Sequence, residues 1–437
     1  MLAPSKDTAR PPQLYLADAG PPPNTAPLSG SLDADVVVIG AGFTGLSAAL
    51  HLAEAGRKPV LIEAQDIAWG ASGRNFGQVV PYTKHSESHV LKTFGPVHGP
   101  RLIEATGKAP GLVFDLIEKH GIACSVRRNG LLFAANSEAG LHGLQTRSLF
   151  WQERGAPVEM LSRGATASAI GSELYPAAML DRRGGTLNPV AYAQGLAAAA
   201  IRHGATIHTQ TRVTGLSPAG SGWTITTAAG SVTAATVVVA SDAYTDGFAP
   251  QIRKSLIPMR AYQLVSEPLS DNLRATILPQ GHALTDTRRL FSGIRLHRDG
   301  RLQIGLDGPV FSDGQPYIDK ATQRVQRLFP QIGAINWQEC WSGWVSMTAN
   351  HYPQLVRLAP NCLGALGYSG RGIALATLCG HELARHITGT PDTELALPMG
   401  VPKPIAVRPF AAPMVGGLMT LYRALDDADD RRLSRAM

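Results

Sequence analysis

Residues 35–63, DVVVIGAGFTGLSAALHLAEAGRKPVLIE, leave the chain few arrangements. The apolar run 36–39 reads as a buried strand, 46–55 as an alanine-rich helix and 60–62 as a second buried strand. Between strand and helix stand Gly40, Gly42 and Gly45. The first lets the chain turn sharply, the second lets backbone approach a pyrophosphate, and the third seats the helix on the sheet. The first helical N–H groups and the positive end of the helix dipole then face the phosphate, with Phe43 and Thr44 inside the turn. Glu63 ends the second strand where an acid meets a ribose 2′-hydroxyl, which disfavours NADP. A glycine turn can also bind nothing, but strand, spacing, helix and acid together are what a dinucleotide site requires.

The loop that follows, AQDIAWGASGRNFGQVVPY at 64–82, leaves the second strand directly and should run along the same cofactor. Gly70, Ala71, Ser72, Gly73 and Gly77 permit close backbone approach, and Arg74, Asn75 and Gln78 decorate it. Arg74 could equally be a solvated surface charge; the small residues on both sides favour a cofactor role.

At 437 residues the chain suits two domains or one large domain with insertions. Its net charge of +7 comes without a dense Lys/Arg block, so solubility and attraction of anionic ligands explain it better than nucleic-acid binding. Cys124, Cys340, Cys362 and Cys379 show neither CxxC nor framework spacing. Reduced thiols in the cytoplasm are expected, with neither zinc nor structural disulfides. No apolar run is long enough to span a bilayer, and no signal peptide is read at the N-terminus. Residues 1–32, proline-rich, are expected to form an extended lead-in.

Residues 86–184 carry helical patterns near 110–119 and 141–153 and a strand at 130–135, without a phosphate motif. A helix and an alternating strand follow in 184–216, a polar hairpin in 218–227, and a buried strand in 232–246 that returns to the parallel sheet. From about residue 252 a second excursion suggests antiparallel strands and a helix; the two excursions should build one sheet. In 362–389 a strand, a turn with Gly367, Gly370 and Gly372, and a helix repeat the anion-facing geometry. The tail from 396 ends in an amphipathic helix pattern whose use, packing or partner contact, the sequence leaves open.

Taken together, GAGFTG (40–45), EAQDIAWGASGRNFGQ (63–78), VVVASDAYT (237–245), WSGWVSMTANHYP (341–353) and GYSGRGIALATLCG (367–380) resemble the FAD-dependent D-amino-acid oxidase and glycine oxidase superfamily, especially its γ-glutamylputrescine oxidase-like branch. The resemblance implies a mixed α/β fold: a Rossmann-like FAD-binding domain with a parallel sheet (33–85, 185–250 and 335–395), interleaved with an antiparallel-sheet substrate domain (86–184 and 251–334). It implies that FAD is lined by Gly40, Gly42, Phe43, Thr44, Gly45, Glu63 and Ala64 in the first motif. Gly70, Ala71, Ser72, Arg74, Asn75, Phe76, Gly77 and Gln78 follow in the loop, and Val213, Ala240 and Ser241 in the returning strands. Gly367, Gly370, Arg371, Gly372 and Ile373 complete the set, aiming N–H groups and a cation at the flavin N1/C2 edge, where reduced flavin is negative.

Two departures carry weight. Val345 stands where some relatives attach flavin through a cysteine, with Cys340 displaced, so FAD is expected to be non-covalent. Gln303, with Arg295 nearby, aligns where some relatives hold an oxygen-activating lysine, which leaves direct use of O2 open. The implied reaction is oxidation of a C–N bond of an amine or amino acid by hydride transfer to flavin N5. The imine then hydrolyses, and O2 becomes H2O2; a dehydrogenase serving a quinone or protein acceptor, or a non-catalytic flavin store, are the competing readings. His351, Tyr352, Arg371 and Arg74 are the catalytic candidates, and Arg260, Tyr262 and Tyr352 the substrate contacts. Trp341 and Trp344 read as core. No Ser/His/Asp set and no metal-spaced histidines are visible, so no metal is expected; the oligomeric state is not legible.

Overall fold

In the computed structural model, which describes residues 13–308, 315–406, 408 and 411–436, the strand of the first motif is Gly30–Ile39. It pairs in parallel with Gly230–Val239 on one side and Val60–Ile62 on the other. The main run of this nine-stranded sheet is Met399–Gly400, Gln354–Ala359, Cys362–Leu366, Gly230–Val239, Gly30–Ile39, Val60–Ile62 and Thr206–His208. The hairpin Val213–Ala219/Gly222–Thr227 is attached to Gly230–Val239. Val37, Ile39, Ile62, Val237, Val239 and Val356 fill the core on one face. Each such side chain, fully buried, contributes about 1.5–3 kcal/mol.

Val38 faces the other side, towards the helix Phe43–Glu54. That helix packs on Pro189–Arg202 and on Gly372–Ile387, with Glu87–His120 beside them. All these residues belong to one compact unit formed by the described residues of Met1–Ser125, Leu187–Pro258 and Trp344–Pro409.

The second unit comprises the described residues of Val126–Thr186, Met259–Gly343 and Phe410–Met437. Its eight-stranded sheet takes strands from both excursions, joined by a parallel pairing of Leu131–Ala134 with Ala283–Asp286. Ile257–Pro268 with Arg301–Gly308, Ser292–Leu296 with both Ala283–Asp286 and Arg301–Gly308, and Ala178–Asp181 with both Leu131–Ala134 and Val158–Leu161 pair antiparallel. Leu132, Leu264, Leu284, Ile294, Leu302 and Ile304 form its core with Ala321, Val325 and Leu328 of the helix Gln315–Leu328.

Two expectations change, and a question left open by the sequence is answered for the tail. The Glu87–His120 helix, expected within the substrate domain and only in its second half, belongs to the first unit. Val90, Leu102, Ile103, Val113 and Ile117 are buried along it, and Gly95 (φ 70°) kinks it. In the lead-in, whose residues 1–12 lie outside the described set, Gln13–Ala17 is helical rather than extended. Tyr15 is buried there, its hydroxyl donating to Asn75 O (2.9 Å). The tail helix Ala411–Ala436 belongs to the second unit. There Asp426 and Asp430 are buried and accept from Arg289 and from Arg288 and Arg327, while Met414, Leu418 and Leu421 are exposed. Packing is thus one use of this helix.

Where the helices Phe43–Glu54 and Gly372–Ile387 meet, the rings of His51 and His381 lie 4.6 Å apart. Burial first, then the charge of His381, pulls the His51 imidazole down to about 4 from its ordinary 6.5. Protonation therefore favours the unfolded chain, so this contribution to stability is present above pH 6.5 and is lost as pH falls towards 4. The thermal midpoint should fall across that window, and His51→Gln should flatten the fall; an unchanged slope in the variant would assign the acid sensitivity elsewhere.

Candidate functional site

Among the described residues, four helices carry side-chain caps of their own, from Ser86, Ser137, Ser162 and Asn188. The two helices that follow the glycine turns do not: Phe43–Glu54 starts after Gly42, and Gly372–Ile387 after Arg371. A helix N-terminus without a cap leaves N–H groups and positive dipole for an anion.

The first turn is built by close approach. Gly40 has φ 110°, and a Cβ there would lie 2.9 Å from the Ala240 carbonyl oxygen and 3.3 Å from Ser241 N. A Cβ on Gly42 would meet Ser72 Oγ at 2.9 Å, and that hydroxyl accepts from Phe43 N–H (3.0 Å). A Cβ on Gly45 would press into the Gly40 carbonyl. Both Glu63 oxygens hold this turn, Oε2 accepting from Ala41 N–H (2.7 Å) and Oε1 from Gln65 N–H (2.9 Å). Burial pushes the Glu63 carboxyl up, against those two N–H groups. Val213, buried, starts a strand two residues after Thr211, whose N–H reaches Glu63 O (2.8 Å).

The loop after Glu63 is fastened by its own side chains. Asn75 Nδ2 donates to Ser72 O (2.8 Å), and Asn75 Oδ1 accepts from Gly77 N–H (2.9 Å). Arg74 is buried; its Nε donates to Trp69 O (2.9 Å) and its guanidinium lies 4.8 Å from the Trp69 ring centre. It is not the solvated charge of the alternative reading, and these contacts make it a positioning residue for the loop. Gly70 abuts the Tyr244 ring, and Phe76 is buried.

The second turn lies against the first. Gly380 of the last helix crosses the first helix so closely that a Cβ would be 2.7 Å from Ser47 Cβ and 2.9 Å from Ala48 N. Thr44 Oγ1 and the Tyr368 hydroxyl share a 2.5 Å hydrogen bond. Asp242 Oδ1 accepts from Gly367 N–H (2.8 Å), and Oδ2 accepts from Ser346 Oγ (2.5 Å). Gly370 (φ 83°) and Gly372 face open space, and Ile373 is buried behind them. Neither Asp242 nor Tyr368 was singled out from the sequence. The signal was there: an acid three residues after a buried strand, and the tyrosine inside GYSGRG.

His351 has φ 58°, and its buried Nδ1 makes no hydrogen bond among the described residues. Burial, then Lys84 and His85, pulls its imidazole down to about 4. Tyr352 is buried, its ring 4.9 Å from both His85 and Phe94 and stacked on His89. Its side chain is used in packing.

In the second unit, Tyr262 is buried and stacks on Tyr317 with ring centres 3.8 Å apart. Arg260 stands two residues before it on the strand Ile257–Pro268, opposite Gly308. On the sheet face opposite its apolar core, Gln303 is fully buried. Its Oε1 accepts from Arg295 Nε (2.9 Å) and lies 2.8 Å from His297 Nε2, and its Nε2 donates to Gln263 Oε1 (3.1 Å). All four cysteines are free, and Cys340 alone of them is exposed.

The FAD dependent oxidoreductase (DAO) family model matches residues 35–386. The chain is 32% identical over 369 residues to γ-glutamylputrescine oxidoreductase of Escherichia coli (strain K12), covering 83% of this chain and 85% of that protein. Its fold is similar to the crystal structure of glycine oxidase from Geobacillus kaustophilus, with TM-score 0.69 at 21% identity, over 87% of this chain and 98% of the other. L-proline dehydrogenase from P. horikoshii is similar too, with TM-score 0.69 at 18% identity, over 84% and 96% of the two chains.

Proposed function

The chain belongs to the FAD-dependent oxidoreductase family, and from that premise we propose that it oxidises the C–N bond of an amine or amino acid, giving an imine that hydrolyses, with O2 reduced to H2O2. The observation that carries this reading is the pair of glycine-turned, uncapped helix N-termini packed together in one unit. The relative acting on γ-glutamylputrescine supports an amine substrate.

The residues present fit FAD held without a covalent bond. Gly42 has no room for a side chain beside Ser72, as backbone approach to a pyrophosphate demands, while Gly370 and Gly372 leave space before the last helix. The turn at Gly42 would hold the pyrophosphate, Glu63 the ribose, and Gly370–Ile373 the pyrimidine edge. Bound FAD would supply the acceptor for the hydride that leaves the carbon beside the amine. The chain supplies orientation, exclusion of water and positive potential from the last helix and Arg371. His351, uncharged at neutral pH, is suited to hold the substrate's amine by a hydrogen bond rather than to take its proton. Tyr262 and Arg260 would contribute to the substrate side. We place the activity in the cytoplasm, where four free thiols stay reduced.

Anaerobic mixing of the purified yellow protein with polyamines, N-methyl amino acids and amino acids tests the reading. At least one class should bleach the flavin; no bleaching across the panel rejects it. One observation favours a different acceptor: Gln303, aligned with the oxygen-activating lysine of some relatives, is committed to Arg295, His297 and Gln263. Peroxide formed in near-stoichiometric yield per turnover supports the oxidase; little peroxide, with turnover restored by a quinone, supports a dehydrogenase.

A further inference from the structure

Three helices of the first unit end at one place. Glu54 is the last residue of Phe43–Glu54, His120 the last of Glu87–His120, and His203 follows Pro189–Arg202 as its C-cap. One carboxylate oxygen and one ring nitrogen from each histidine all lie within 4.8 Å of one another. Glu54 Oε1 and His120 Nε2 are already 3.0 Å apart, and the rings of His120 and His203 stand 5.5 Å apart and nearly perpendicular. The His120 side chain is 4% exposed, yet its Nε2 makes no hydrogen bond among the described residues. We propose that Glu54, His120 and His203 form a binding site for a divalent transition metal of the zinc type, with water as the fourth ligand.

The donor set is one that zinc accepts: two imidazoles and a carboxylate. Tetrahedral zinc holds its ligands about 3.4 Å apart, as follows from bonds of about 2.0–2.1 Å. His203 must therefore move inward by about an ångström, and it is exposed. Helix C-termini carry partial negative charge, so three converging ends favour a cation at this point.

Two cations oppose the metal. Lys119 Nζ lies 2.6 Å from Glu54 Oε1, on a side chain 59% exposed, and Arg202 reaches the His120 carbonyl (3.2 Å). The ammonium must swing out to solvent before a metal can take the Glu54 oxygen, which weakens the binding. Bound metal would tie together helices of the flavin-binding unit without touching the flavin site. The ligands are 66 and 83 residues apart in sequence (120 − 54 and 203 − 120), so no spacing motif announces them.

Flavin-loaded protein freed of metals with a chelator is titrated with zinc against a chromophoric chelator, and separately with cobalt. One equivalent should bind, cobalt should give the intense long-wavelength bands of four-coordinate geometry, and the thermal midpoint should rise. His203→Ala should weaken zinc at least tenfold and abolish the rise, with flavin content unchanged. Lys119→Ala should tighten zinc several-fold, an effect that loss of a merely structural ion pair would not give. Absence of stoichiometric binding, or binding that His203→Ala leaves unaltered, overturns the site; weaker binding in Lys119→Ala overturns Glu54 as a ligand.

Discussion

Gly45→Ala is expected to yield protein without flavin, less stable by about 3 kcal/mol or more, at the upper reach of overpacking. The new Cβ would lie 3.1 Å from the Gly40 carbonyl carbon and closer still to its oxygen, with Val38 Cγ1 at 3.2 Å. None of these can yield cheaply. Gly40 is tied to the second strand through its N–H and Ile62 O (2.8 Å), and Val38 is buried in the sheet. The helix must therefore lift from the strand, which carries its N-terminus away from the turn and strains the contact at Gly380 with the last helix. The thermal midpoint should fall by roughly 3 °C or more, at about 1 °C per kcal/mol, because an unfolding entropy of about 2.1 cal/mol/K per residue comes to about 0.9 kcal/mol/K over 437 residues. Gly247→Ala is the control, because Gly247 is exposed and a Cβ there meets nothing within 4 Å. If Gly45→Ala keeps its flavin and melts with the parent, tight seating of helix on strand is not what fixes the turn.

The same contact explains what could be read from the chain and what could not. Gly40, Gly42 and Gly45 announce the turn because each answers a local demand that few other residues meet. The helix nonetheless begins at Phe43, three residues earlier than its periodicity suggests, because Gly45 lowers helix propensity while tertiary packing keeps it helical. Gly95, Pro96, Gly99, Pro100 and Gly107 hide the first half of Glu87–His120 in the same way. Buried residues on its inner side, not propensity, hold that helix together. Side-chain roles were harder to read. Arg74 and Tyr352 stand in the right motifs, but what they touch depends on Trp69 and on His85, His89 and Phe94. The partners of Tyr352 include a distant helix, which local sequence cannot place.

Replacing Asp242 separates two effects that the structure combines at one residue. Its carboxylate joins Gly367 N–H to Ser346 Oγ, and its backbone sits at φ 41°. Asp242→Asn can keep both bonds, with Oδ1 accepting from Gly367 and Nδ2 donating to the Ser346 oxygen, and asparagine tolerates the left-handed backbone. Its cost should stay within about 1 kcal/mol. Asp242→Gly keeps the backbone but leaves the Gly367 N–H and Ser346 without their acceptor, at about 2–3 kcal/mol for the pair. Asp242→Ala loses the bonds and adds backbone strain of about 1–2 kcal/mol, making it the worst of the three. The flavin should follow the same order, because Gly367 opens the turn that leads to Gly370 and Arg371. Dissociation constants for FAD should therefore rise little for Asn, by about tenfold or more for Gly, and further for Ala, each tenfold being about 1.4 kcal/mol. Equal losses in Asn and Ala would mean that the negative charge, rather than the geometry it holds, supports the turn; Gly weaker than Ala would remove backbone strain from the account.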